Sequence, residues 1–435
     1  DGIRDRDVTG VQTCALPICF RQAVALDPKF SDAMNNCGAV LRRLRRYEEG
    51  LKIYNGTLRL NPTHVEALQG RGELLAEIGK TTDAIADFDK ALELRPGYAD
   101  AIWAKGFTLL AAGNFNAGWG PYEYRFEQSN RQCAVLNTSK PRWSAGVGGR
   151  LLVWSEQGIG DELFFLQWID RVGELSADVT VAVDVRLIGA YERAFPQVRF
   201  VDKAKNIPLE SYDSHLPMGS LPKSFNDIGL GWHDTRKIPY LRFDPVRREK
   251  IRRDLIQFGE KIVGVTWKST RPTIGAEKSA SLSDLLPILK LPGYTFVNLQ
   301  YGDTDSEIQA LREQTGIELQ CYPSIDNLRN LEEHIDLVAA CDELVLVCNA
   351  TAHIAGALGQ HARILTPRGK SLIWYWANRT NDRNFWYPSL QPLDQTKDLS
   401  WVEPIARIAI DLESHRDRKS TRLNSSHITI SYAVF

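Results

Sequence analysis

The chain has no cysteine pattern of the kind that builds a disulfide framework or a zinc site. Its seven cysteines form no Cys-x-x-Cys pair and no Cys/His cluster with ligand spacing. No apolar run reaches the roughly 18 residues that a membrane helix needs, and the N-terminal segment lacks the apolar region of a signal peptide. Basic residues number 53 against 54 acidic ones, so the net charge of −1 favours neither nucleic acid nor anionic lipid as a partner. These absences predict a soluble cytoplasmic protein with no metal site and no membrane span.

The length and composition are ordinary for a globular protein. A chain of 435 residues with 43% apolar and 25% charged residues is typical of two to four domains with large cores. The function classes that remain are therefore enzymes and protein-binding modules, and the order of motifs along the chain must distinguish them.

A step of 34 residues organises the first quarter of the chain. It separates Pro28, Pro62 and Pro96, and a small-residue, a glycine, a leucine and an aromatic column repeat with it. These columns are Ala33, Ala67 and Ala101; Gly38, Gly72 and Gly106; Leu41, Leu75 and Leu109; and Tyr54, Phe88 and Tyr122. Such a unit resembles the tetratricopeptide repeat, a helical hairpin that buries its apolar face against its neighbours. The repeats are expected over 20–126, and the aromatic residues of the last one are expected to pack on a later part of the chain.

Three other segments lack regular periodicity. Residues 1–19 and 418–435 resemble translated sequencing-adaptor sequence, which implies a gene fragment whose true ends are missing. Residues 1–19 are therefore set apart as an artefactual tail, and 413–435 as an artefactual or disordered one. Residues 127–148 are polar and contain glycine, which predicts a linker between the repeats and the rest of the chain.

From residue 149 the sequence alternates short apolar runs with amphipathic stretches, which predicts parallel sheets covered by helices on both faces. The pattern divides into an N-terminal domain at 149–241 and a C-terminal domain at 242–412. The predicted strands are 151–156, 179–184, 198–201 and a run within 212–221, then 261–267, 294–300, 317–322, 343–349 and 362–367. Ligands of open α/β sheets bind beyond the carboxyl ends of the strands. The loops after Ser155, Trp267, Gln300 and Asn349 are therefore the candidate sites.

The loop after the first strand reads Glu156-Gln157-Gly158-Ile159-Gly160-Asp161. Its two glycines permit a tight turn and the close approach of a ligand. The dinucleotide-binding fingerprint is not satisfied, because Leu163 stands where the third glycine belongs. Asp161 begins a predicted helix, so its spacing fits either a helix-capping carboxylate or an acid that faces a ligand.

The segment after strand 343–349 combines Asn349, Thr351 and His353 with small residues at the start of a helix. Free backbone N–H groups and the helix dipole favour a phosphate at such a position, and a threonine hydroxyl can donate to it. Small Ala355, Gly356 and Ala357 permit close packing of the helix. The alternative is a packing helix whose histidine is satisfied in the core.

Six stretches in order carry a more specific resemblance over about 141–412. They are PRW at 141–143, LLVWSEQGIGDELFF at 151–165, VGVTWKS at 263–269, FVNLQYG at 296–302, LVLVCNATAHIAGALG at 344–359 and FWYPSL at 385–390. Together they resemble the heptosyltransferase-like branch of the GT-B glycosyltransferases, which occurs fused to tetratricopeptide repeats in bacterial proteins. The fold implied is a helical solenoid followed by two Rossmann-like parallel-sheet domains, the first for the acceptor and the second for the nucleotide-sugar donor.

The resemblance also implies roles for individual residues. Asp161 is expected to be the catalytic base, in an acceptor-side loop with Gln157, Gly158 and Gly160. Asn349, Thr351 and His353 are expected to hold the donor diphosphate. Lys268 and Lys278 follow strand 261–267, and the resemblance favours Lys278 as a phosphate contact. Trp267, Gln300 and Tyr301 are candidates for the wall around the nucleobase and ribose.

The chemistry implied is transfer of a sugar from a nucleotide-activated donor to a hydroxyl of a protein or glycan acceptor, which the repeats recruit. A carboxylate can take the hydroxyl proton, and N–H donors with a lysine can stabilise the leaving diphosphate without metal or other cofactor. Asp303-Thr304-Asp305 resembles a metal-binding triplet of another glycosyltransferase architecture, but Thr304 with Glu307 predicts a helix capping box instead.

Two other functions remain open. Cys348 stands where relatives commonly have an aspartate, which favours a non-catalytic scaffold with a degenerate α/β part. A nucleotide-sugar epimerase would share the two-sheet layout, although it needs acids on both sides of the cleft and the sequence offers one clear candidate.

Overall fold

The computed structural model describes residues 31–233, 238–271 and 274–414. Residues 1–19, the Pro28 column and 415–435 lie outside the described residues. The chain divides into two units: unit 1 contains the residues up to Val135 together with Ile373–Asn378, and unit 2 contains Leu136–Leu372 and the residues from Arg379 onward. No helix in the described ranges is long and apolar enough to cross a membrane.

Unit 1 consists of the helical repeats that the 34-residue step predicts. Its helices are α1 (Ser31–Arg43), α2 (Tyr47–Leu60), α3 (Val65–Glu77), α4 (Thr81–Leu94), α5 (Ala99–Ala111) and α6 (Phe115–Tyr122). Each consecutive pair forms one helical hairpin, in which the two helices pack on each other. The N-terminal part of the prediction, a row of tetratricopeptide-type hairpins, is confirmed.

The glycine and aromatic columns of the repeat meet in space. A Cβ atom placed on Gly38 would lie 2.9 Å from the ring of Tyr54, and one on Gly72 would lie 2.7 Å from the ring of Phe88. Both separations are shorter than carbon atoms adopt in proteins, so each glycine makes room for the aromatic residue of its own repeat. Tyr54 and Phe88 are fully buried as a result. The two columns are therefore one packing requirement expressed at two positions.

The turn inside each hairpin needs left-handed backbone. Arg45, Gly79 and Gly113 have φ angles of 58°, 81° and 79°, again at 34-residue intervals. Glycine adopts this conformation without steric cost, whereas other L-residues do so at a cost. The first hairpin therefore carries a backbone conformation in Arg45 that the next two assign to glycine.

Unit 1 includes a short segment from much later in the chain. The one-turn helix Trp374–Ala377 packs against α5. The ring of Trp374 meets Trp119 edge-on at 5.3 Å between centroids and Tyr122 at 6.1 Å. Asn378 donates to the carbonyls of Leu110 and Ala111 at 2.9 and 3.0 Å, which satisfies the C-terminal end of α5. The aromatic residues of the last hairpin thus pack on a later segment, as their crowding predicts.

Unit 2 contains two parallel sheets, and the first has four strands in the order β3-β2-β1-β4. Its elements are β1 (Arg150–Trp154), α7 (Ile159–Phe165), a 3₁₀ helix at Leu166–Glu174, β2 (Asp178–Val183), α8 (Ile188–Ala194), β3 (Arg199–Asp202), β4 (Ser214–Pro217) and α9 (Leu221–Asp227). The apolar run of β1 lies at the centre of this sheet, where both faces are buried. The loop that follows β1 is therefore held at the middle of the sheet edge.

The second sheet has five parallel strands in the order β11-β8-β7-β5-β6. Its elements are α10 (Pro245–Ile256), β5 (Lys261–Val265), α11 (Gly275–Lys278), α12 (Leu286–Leu289), β6 (Tyr294–Asn298), α13 (Asp305–Thr315), α14 (Leu331–Ala340), β7 (Glu343–Val347), α15 (Ala350–Ala357), β8 (Ala362–Thr366), the small hairpin β9 (Arg379–Thr380) and β10 (Arg383–Asn384), β11 (Leu390–Asp394) and helix α16 at 402–414. The adjacent strands β5 and β7 direct their loops to the same edge. The prediction of two parallel sheets after the repeats is confirmed.

Three details of the second sheet differ from the sequence prediction. Residues 317–322 form no strand, because Gln320 makes only an isolated bridge to Val297 of the edge strand β6. The strand β11 was not predicted, since Pro392 interrupts its pattern. An edge strand tolerates proline because one side of it has no partner. Helix α16 was also not predicted, and it extends two residues beyond the predicted boundary at 412.

Candidate functional site

The loop after β1 and the helix after β7 lie against each other in unit 2. Helix α7 packs on α15, and a Cβ atom on Gly160 would lie 3.1 Å from Cδ2 and 3.3 Å from Nε2 of His353. The backbone at Gly160 can approach the imidazole this closely only because it carries no side chain. The structure therefore brings the two strongest sequence motifs, which are separated by nearly 200 residues, to one place.

Lys278 is the most unusual charged group at this place. Its side chain is 3% exposed, and among the described residues it makes neither a hydrogen bond nor an ion pair. Burial lowers the pKa of Lys278 to about 8, Arg271 lowers it further, and the charge of Asp161 acts in the opposite direction. A buried ammonium group without a bonded carboxylate is costly unless an anion completes the site. Lys278 thus marks a position suited to a negatively charged ligand.

Cys348 does not supply that negative charge. Its thiol is buried and lies 3.5 Å from the carbonyl oxygen of Leu365. Burial raises the pKa of Cys348 to about 12, although Lys278 and Arg379 lie near enough to oppose the rise. The thiol is therefore neutral at physiological pH, and the positive charge of Lys278 remains uncompensated from this side.

Asn349 closes the first turn of α15. Its backbone is extended, its side-chain oxygen accepts from the N–H of Ala352 at 3.3 Å, and its amide donates to the carbonyl of Lys268 at 3.4 Å. The first contact is an N-cap, and the second ties α15 to the loop after β5. Asn349 thus fixes the positions of both loops relative to each other, and the predicted diphosphate contact by its side chain would compete with these bonds.

Thr351 is fully buried and bonded to a histidine that the sequence did not single out. His334 lies between Asn327 Oδ1, 2.9 Å from its Nδ1, and Thr351 Oγ1, 3.1 Å from its Nε2. The amide of Asn327 donates to the carbonyls of Asn298 and Gln300, so its oxygen accepts from His334 Nδ1–H. Nε2 must then accept from the Thr351 hydroxyl. The proton that was predicted to reach a phosphate is already used in this hydrogen bond.

His353 is buried as well, with an exposed fraction of 2%. Its Nδ1 lies 3.0 Å from the hydroxyl of Tyr387, and its ring meets Phe164 edge-on at 6.3 Å. Burial lowers the pKa of His353 to about 3, and the charge of Lys278 lowers it further. The imidazole is therefore neutral at physiological pH and supplies no positive charge to the cleft.

Trp267 does not form the predicted wall of a nucleobase pocket. Its ring is 1% exposed and belongs to the hydrophobic core of the five-stranded sheet. Its Nε1 donates to Glu307 at 2.5 Å, and Lys268 forms an ion pair with the other oxygen of the same carboxylate at 2.5 Å. Both donors are thus directed away from a ligand and hold the loop after β5 on helix α13.

The same contacts correct the prediction of a capping box. Thr304 stands at the N-cap of α13 without a side-chain cap hydrogen bond, and its hydroxyl accepts from Asn298 at 3.1 Å. Glu307 binds Trp267 and Lys268 instead of the N-cap backbone, because the loop after β5 passes directly over the first turn of α13.

Gln300 joins two loops from within. Its side-chain oxygen accepts from the backbone N–H groups of Trp267 and Lys268 at 3.1 and 2.9 Å, and its amide donates to the carbonyl of Tyr301. Only 1% of the residue is exposed. Tyr301 is half-buried and follows directly, so it is the member of the predicted wall whose side chain reaches the surface.

On the acceptor side, the loop after β1 is held by a buried carboxylate next to Asp161. Glu162 accepts from Lys203 at 2.9 Å, from the hydroxyl of Tyr191 at 3.1 Å and from the backbone of Asp184. These bonds fix α7 on the first sheet. Gln157, Gly160 and Asp161 are half-buried, and Gly158 is exposed at the helix start. Asp161 therefore sits on a rigid turn at the rim of the site.

Comparisons with known proteins identify the repeats and leave the α/β part unassigned. Residues 38–99 match the tetratricopeptide repeat family. The N-terminal helices of this chain are tetratricopeptide repeats.

The α/β part is covered by a relative from Caulobacter vibrioides named Protein FlbA, which is 30% identical over 327 residues and matches 70% of this chain. The match spans 53% of FlbA, so the chain corresponds to about half the length of this curated relative. The chain is thus a distant homologue of FlbA.

Solved structures with similar folds cover only the repeats. A crystal structure of MamA is 19% identical, with a TM-score of 0.25, and covers 28% of this chain and 72% of that chain. The first TPR of Spaghetti (RPAP3), bound to an HSP90 peptide, is 20% identical, with a TM-score of 0.23, and covers 24% of this chain and 82% of that chain.

Four residues around the site escaped the sequence interpretation, namely Tyr240, Tyr387, His334 and Glu162. Tyr240 precedes the predicted domain boundary at 241, and Tyr387 lies in the FWYPSL stretch that was used only as a resemblance. Each lies far in sequence from the residue it bonds, with 147 positions between the two tyrosines. Glu162 could have been noticed, because it is an acid that directly follows Asp161 at the start of a helix. The other three are visible only once the sheets are folded.

Proposed function

We propose that the chain is a glycosyltransferase of the GT-B, heptosyltransferase-like type, which transfers a sugar from a nucleotide-activated donor to an acceptor hydroxyl. The observation that carries the proposal is Lys278, a buried ammonium group that no carboxylate or other described residue bonds. A donor diphosphate supplies the missing negative charge, and this charge grows on the leaving group during transfer. Lys278 can therefore both bind the donor and stabilise the leaving nucleotide.

The start of α15 adds to this anion site. The N-terminal N–H groups of a helix attract phosphate through their partial positive charge. Asn349 caps Ala352, so the backbone N–H groups of Ala350 and Thr351 precede the capped position. We assign the diphosphate to the region between these groups and Lys278, and the C-terminal domain at 242–412 to the donor. Tyr301 is the candidate contact for the nucleoside.

Asp161 is the candidate base for the acceptor hydroxyl. It acts on the charge of Lys278, so the two groups lie within electrostatic reach of each other. The turn at Gly160 lies against His353, which places Asp161 at the same cleft as the donor site. A carboxylate there can take the proton from a hydroxyl as it attacks the anomeric carbon. The first sheet, within 149–241, is thereby assigned to the acceptor.

The tetratricopeptide repeats are assigned to recruitment of the acceptor. Repeats of this kind present extended surfaces to other proteins. A protein, or a glycan carried by a protein, is therefore the acceptor class that the architecture favours.

The test is thermal-shift screening of the chain against nucleoside diphosphates and nucleotide sugars, with Lys278→Met and Lys223→Met as matched variants. Lys223 is an exposed lysine that pairs with Asp227 at 2.6 Å, away from the site. A ligand at 100 times its Kd stabilises the folded state by about 2.7 kcal/mol. We expect stabilisation by a nucleotide of the wild type and of Lys223→Met, and its loss in Lys278→Met. Equal stabilisation of both variants would place the nucleotide elsewhere and refute the assignment.

A non-catalytic scaffold is the second candidate, and Cys348 is the observation that favours it. Its neutral thiol leaves Lys278 without the aspartate that resembles the pattern of relatives. If the scaffold is correct, the wild type binds no nucleotide, and Cys348→Asp, which restores the carboxylate, regains the binding. Binding by the wild type would exclude this candidate.

A further inference from the structure

A chain of hydrogen bonds connects His353 to the helix that carries Asp161. His353 Nδ1 lies 3.0 Å from the Tyr387 hydroxyl, and this hydroxyl lies 3.2 Å from that of Tyr240. The Tyr240 hydroxyl donates to the carbonyl oxygen of Leu163 in α7 at 2.7 Å. The chain of bonds thus begins in the second sheet region, at α15, and ends in the first, at α7.

The direction of every bond follows from its last acceptor. A carbonyl oxygen can only accept, so the single proton of Tyr240 lies on the bond to Leu163. Tyr240 must then accept from Tyr387, which uses the single proton of Tyr387. The Tyr387 oxygen therefore accepts from Nδ1–H of His353. This is the one proton arrangement in which all three hydrogen bonds form, and it leaves Nε2 of a neutral imidazole as the unprotonated nitrogen.

Packing holds the two tyrosines in this geometry. The Tyr387 ring lies on Gly356, where a Cβ atom would approach Cγ of the ring to 2.4 Å. The backbone N–H groups of Tyr240 and Leu241 both donate to the carbonyl of Ala357, at 3.0 and 3.1 Å. Both phenol rings are buried. Gly356 is therefore needed for the contact with Tyr387, which gives the small residues of the motif a role beyond helix–sheet packing.

We propose that Tyr240 and Tyr387 are positioning residues that hold His353 as the Nδ1–H tautomer, so that Nε2 accepts a hydrogen bond from a substrate hydroxyl beside the turn at Gly160. This inference rests on the proposed function for the presence of a sugar or acceptor hydroxyl, and it reverses the role first predicted for His353. A nitrogen that accepts cannot donate to a diphosphate. The low pKa of His353, about 3, agrees with a neutral ring at physiological pH.

The other charged and titratable groups around the ring are consistent with this tautomer. Lys278 lies near enough to disfavour an imidazolium by charge repulsion. Phe164 covers one edge of the ring without polar atoms. Asp161, on the turn next to Gly160, would accept from a substrate hydroxyl rather than donate. His353 and Asp161 thus offer two acceptors to the same class of group, a sugar hydroxyl.

The experiment is nuclear magnetic resonance of the full chain with ¹⁵N-labelled histidine at neutral pH and without any ligand. The His353 signal is assigned by its loss in His353→Asn. We expect a protonated Nδ1 and an unprotonated Nε2. In Tyr387→Phe, the ratio of Nδ1–H to Nε2–H tautomer should fall about fivefold, since one net hydrogen bond is removed. Tyr240→Phe frees the Tyr387 proton and should shift the ratio in the same direction.

Tyr294→Phe is the matched control, because its buried hydroxyl also donates to a single backbone carbonyl, that of Leu412 at 2.8 Å. It should leave the His353 signals unchanged. A wild type with Nε2 protonated, or with a charged ring, would overturn the proposal, as would variants at Tyr240 and Tyr387 that behave like the control. Saturation with inorganic pyrophosphate tests the role of Nε2, which should stay unprotonated. Protonation of Nε2 on addition would instead assign His353 to the phosphate.

These measurements separate this inference from the proposed function. The tautomer is read without nucleotide or sugar, so a chain that shows the Nδ1–H form but binds no nucleotide refutes only the glycosyltransferase assignment. A chain that binds nucleotide through Lys278 but shows the Nε2–H form refutes only the tyrosine relay.

Discussion

Replacement of Lys278 by methionine should make the protein more stable while it removes the proposed anion site. The pKa of Lys278 is lowered from 10.5 to about 8, mainly by burial. A difference of about 2.5 in pKa, at about 1.4 kcal/mol for each, means that the charged form lowers the free energy of unfolding by on the order of 3 kcal/mol. Methionine fills a similar volume without a charge, so Lys278→Met should regain much of this free energy at pH 7.

The gain should depend on pH in one direction. Below about pH 8 the folded state carries the buried charge, and its full cost is present. Between about pH 8 and 10.5 the unfolded state binds the proton more tightly than the folded state, so the stability of the wild type rises with pH. The advantage of Lys278→Met should therefore be largest at pH 7 and should shrink towards pH 10.

Lys203→Met is the matched control, since the two lysines differ in one respect. Lys203 forms an ion pair at 2.9 Å with Glu162, whose side chain is fully buried. Its removal leaves an unpaired buried carboxylate, which costs about 3 kcal/mol or more. Urea unfolding of the three proteins at pH 7 and pH 10, followed by tryptophan fluorescence, measures both effects. A Lys278→Met variant that is less stable than the wild type at pH 7 would refute the reasoning.

Three further predictions concern the same site and the repeats. The affinity for a nucleoside diphosphate, measured by titration calorimetry, should be level below pH 8 and fall by up to tenfold per pH unit above it, because Lys278 loses its proton; an affinity that does not change up to pH 9 would exclude Lys278 as the contact. Gly356→Ala should lower the free energy of unfolding by about 1–3 kcal/mol and disturb the His353 signals, because its Cβ atom would overlap the Tyr387 ring; unchanged signals would mean that the ring can move aside. Gly79→Ala should cost about 1 kcal/mol through its φ of 81° alone, since no atom lies within 4 Å of the added Cβ; an equal cost for Gly120→Ala, a helical glycine in equally open surroundings, would refute the backbone explanation.

The fold could be predicted where the sequence pattern is local. The 34-residue columns predicted the hairpins, because each glycine and its aromatic partner belong to the same repeat. Apolar runs such as 343–347 predicted strands, since both faces of a central parallel strand are buried. Residues 317–322 misled because a single buried residue, Leu319, does not make a strand at a sheet edge. Pro392 hid an edge strand for the opposite reason.

The site was less accessible from the sequence, because its bonds join distant positions. The motifs located Asp161, Lys278 and His353, yet side chains expected to face a ligand proved to be ties within the protein. Gln300 and Asn349 hold loops together, and Trp267 lies in the core. Residue type and spacing do not reveal which polar atoms are already bonded. That information came only from the folded positions of Glu307, Lys268 and His334.

The contact of Trp374 with Trp119 and Tyr122 has a consequence for how the polypeptide matures on the ribosome. The repeats emerge first, but the segment Ile373–Asn378 that completes their unit is synthesised more than 200 residues later. Until then the last hairpin leaves an indole and a phenol ring uncovered and two carbonyls of α5 without their amide donor. The nascent N-terminal unit therefore waits in an incomplete state through most of translation, and a fragment cut at residue 135 would remain in that state.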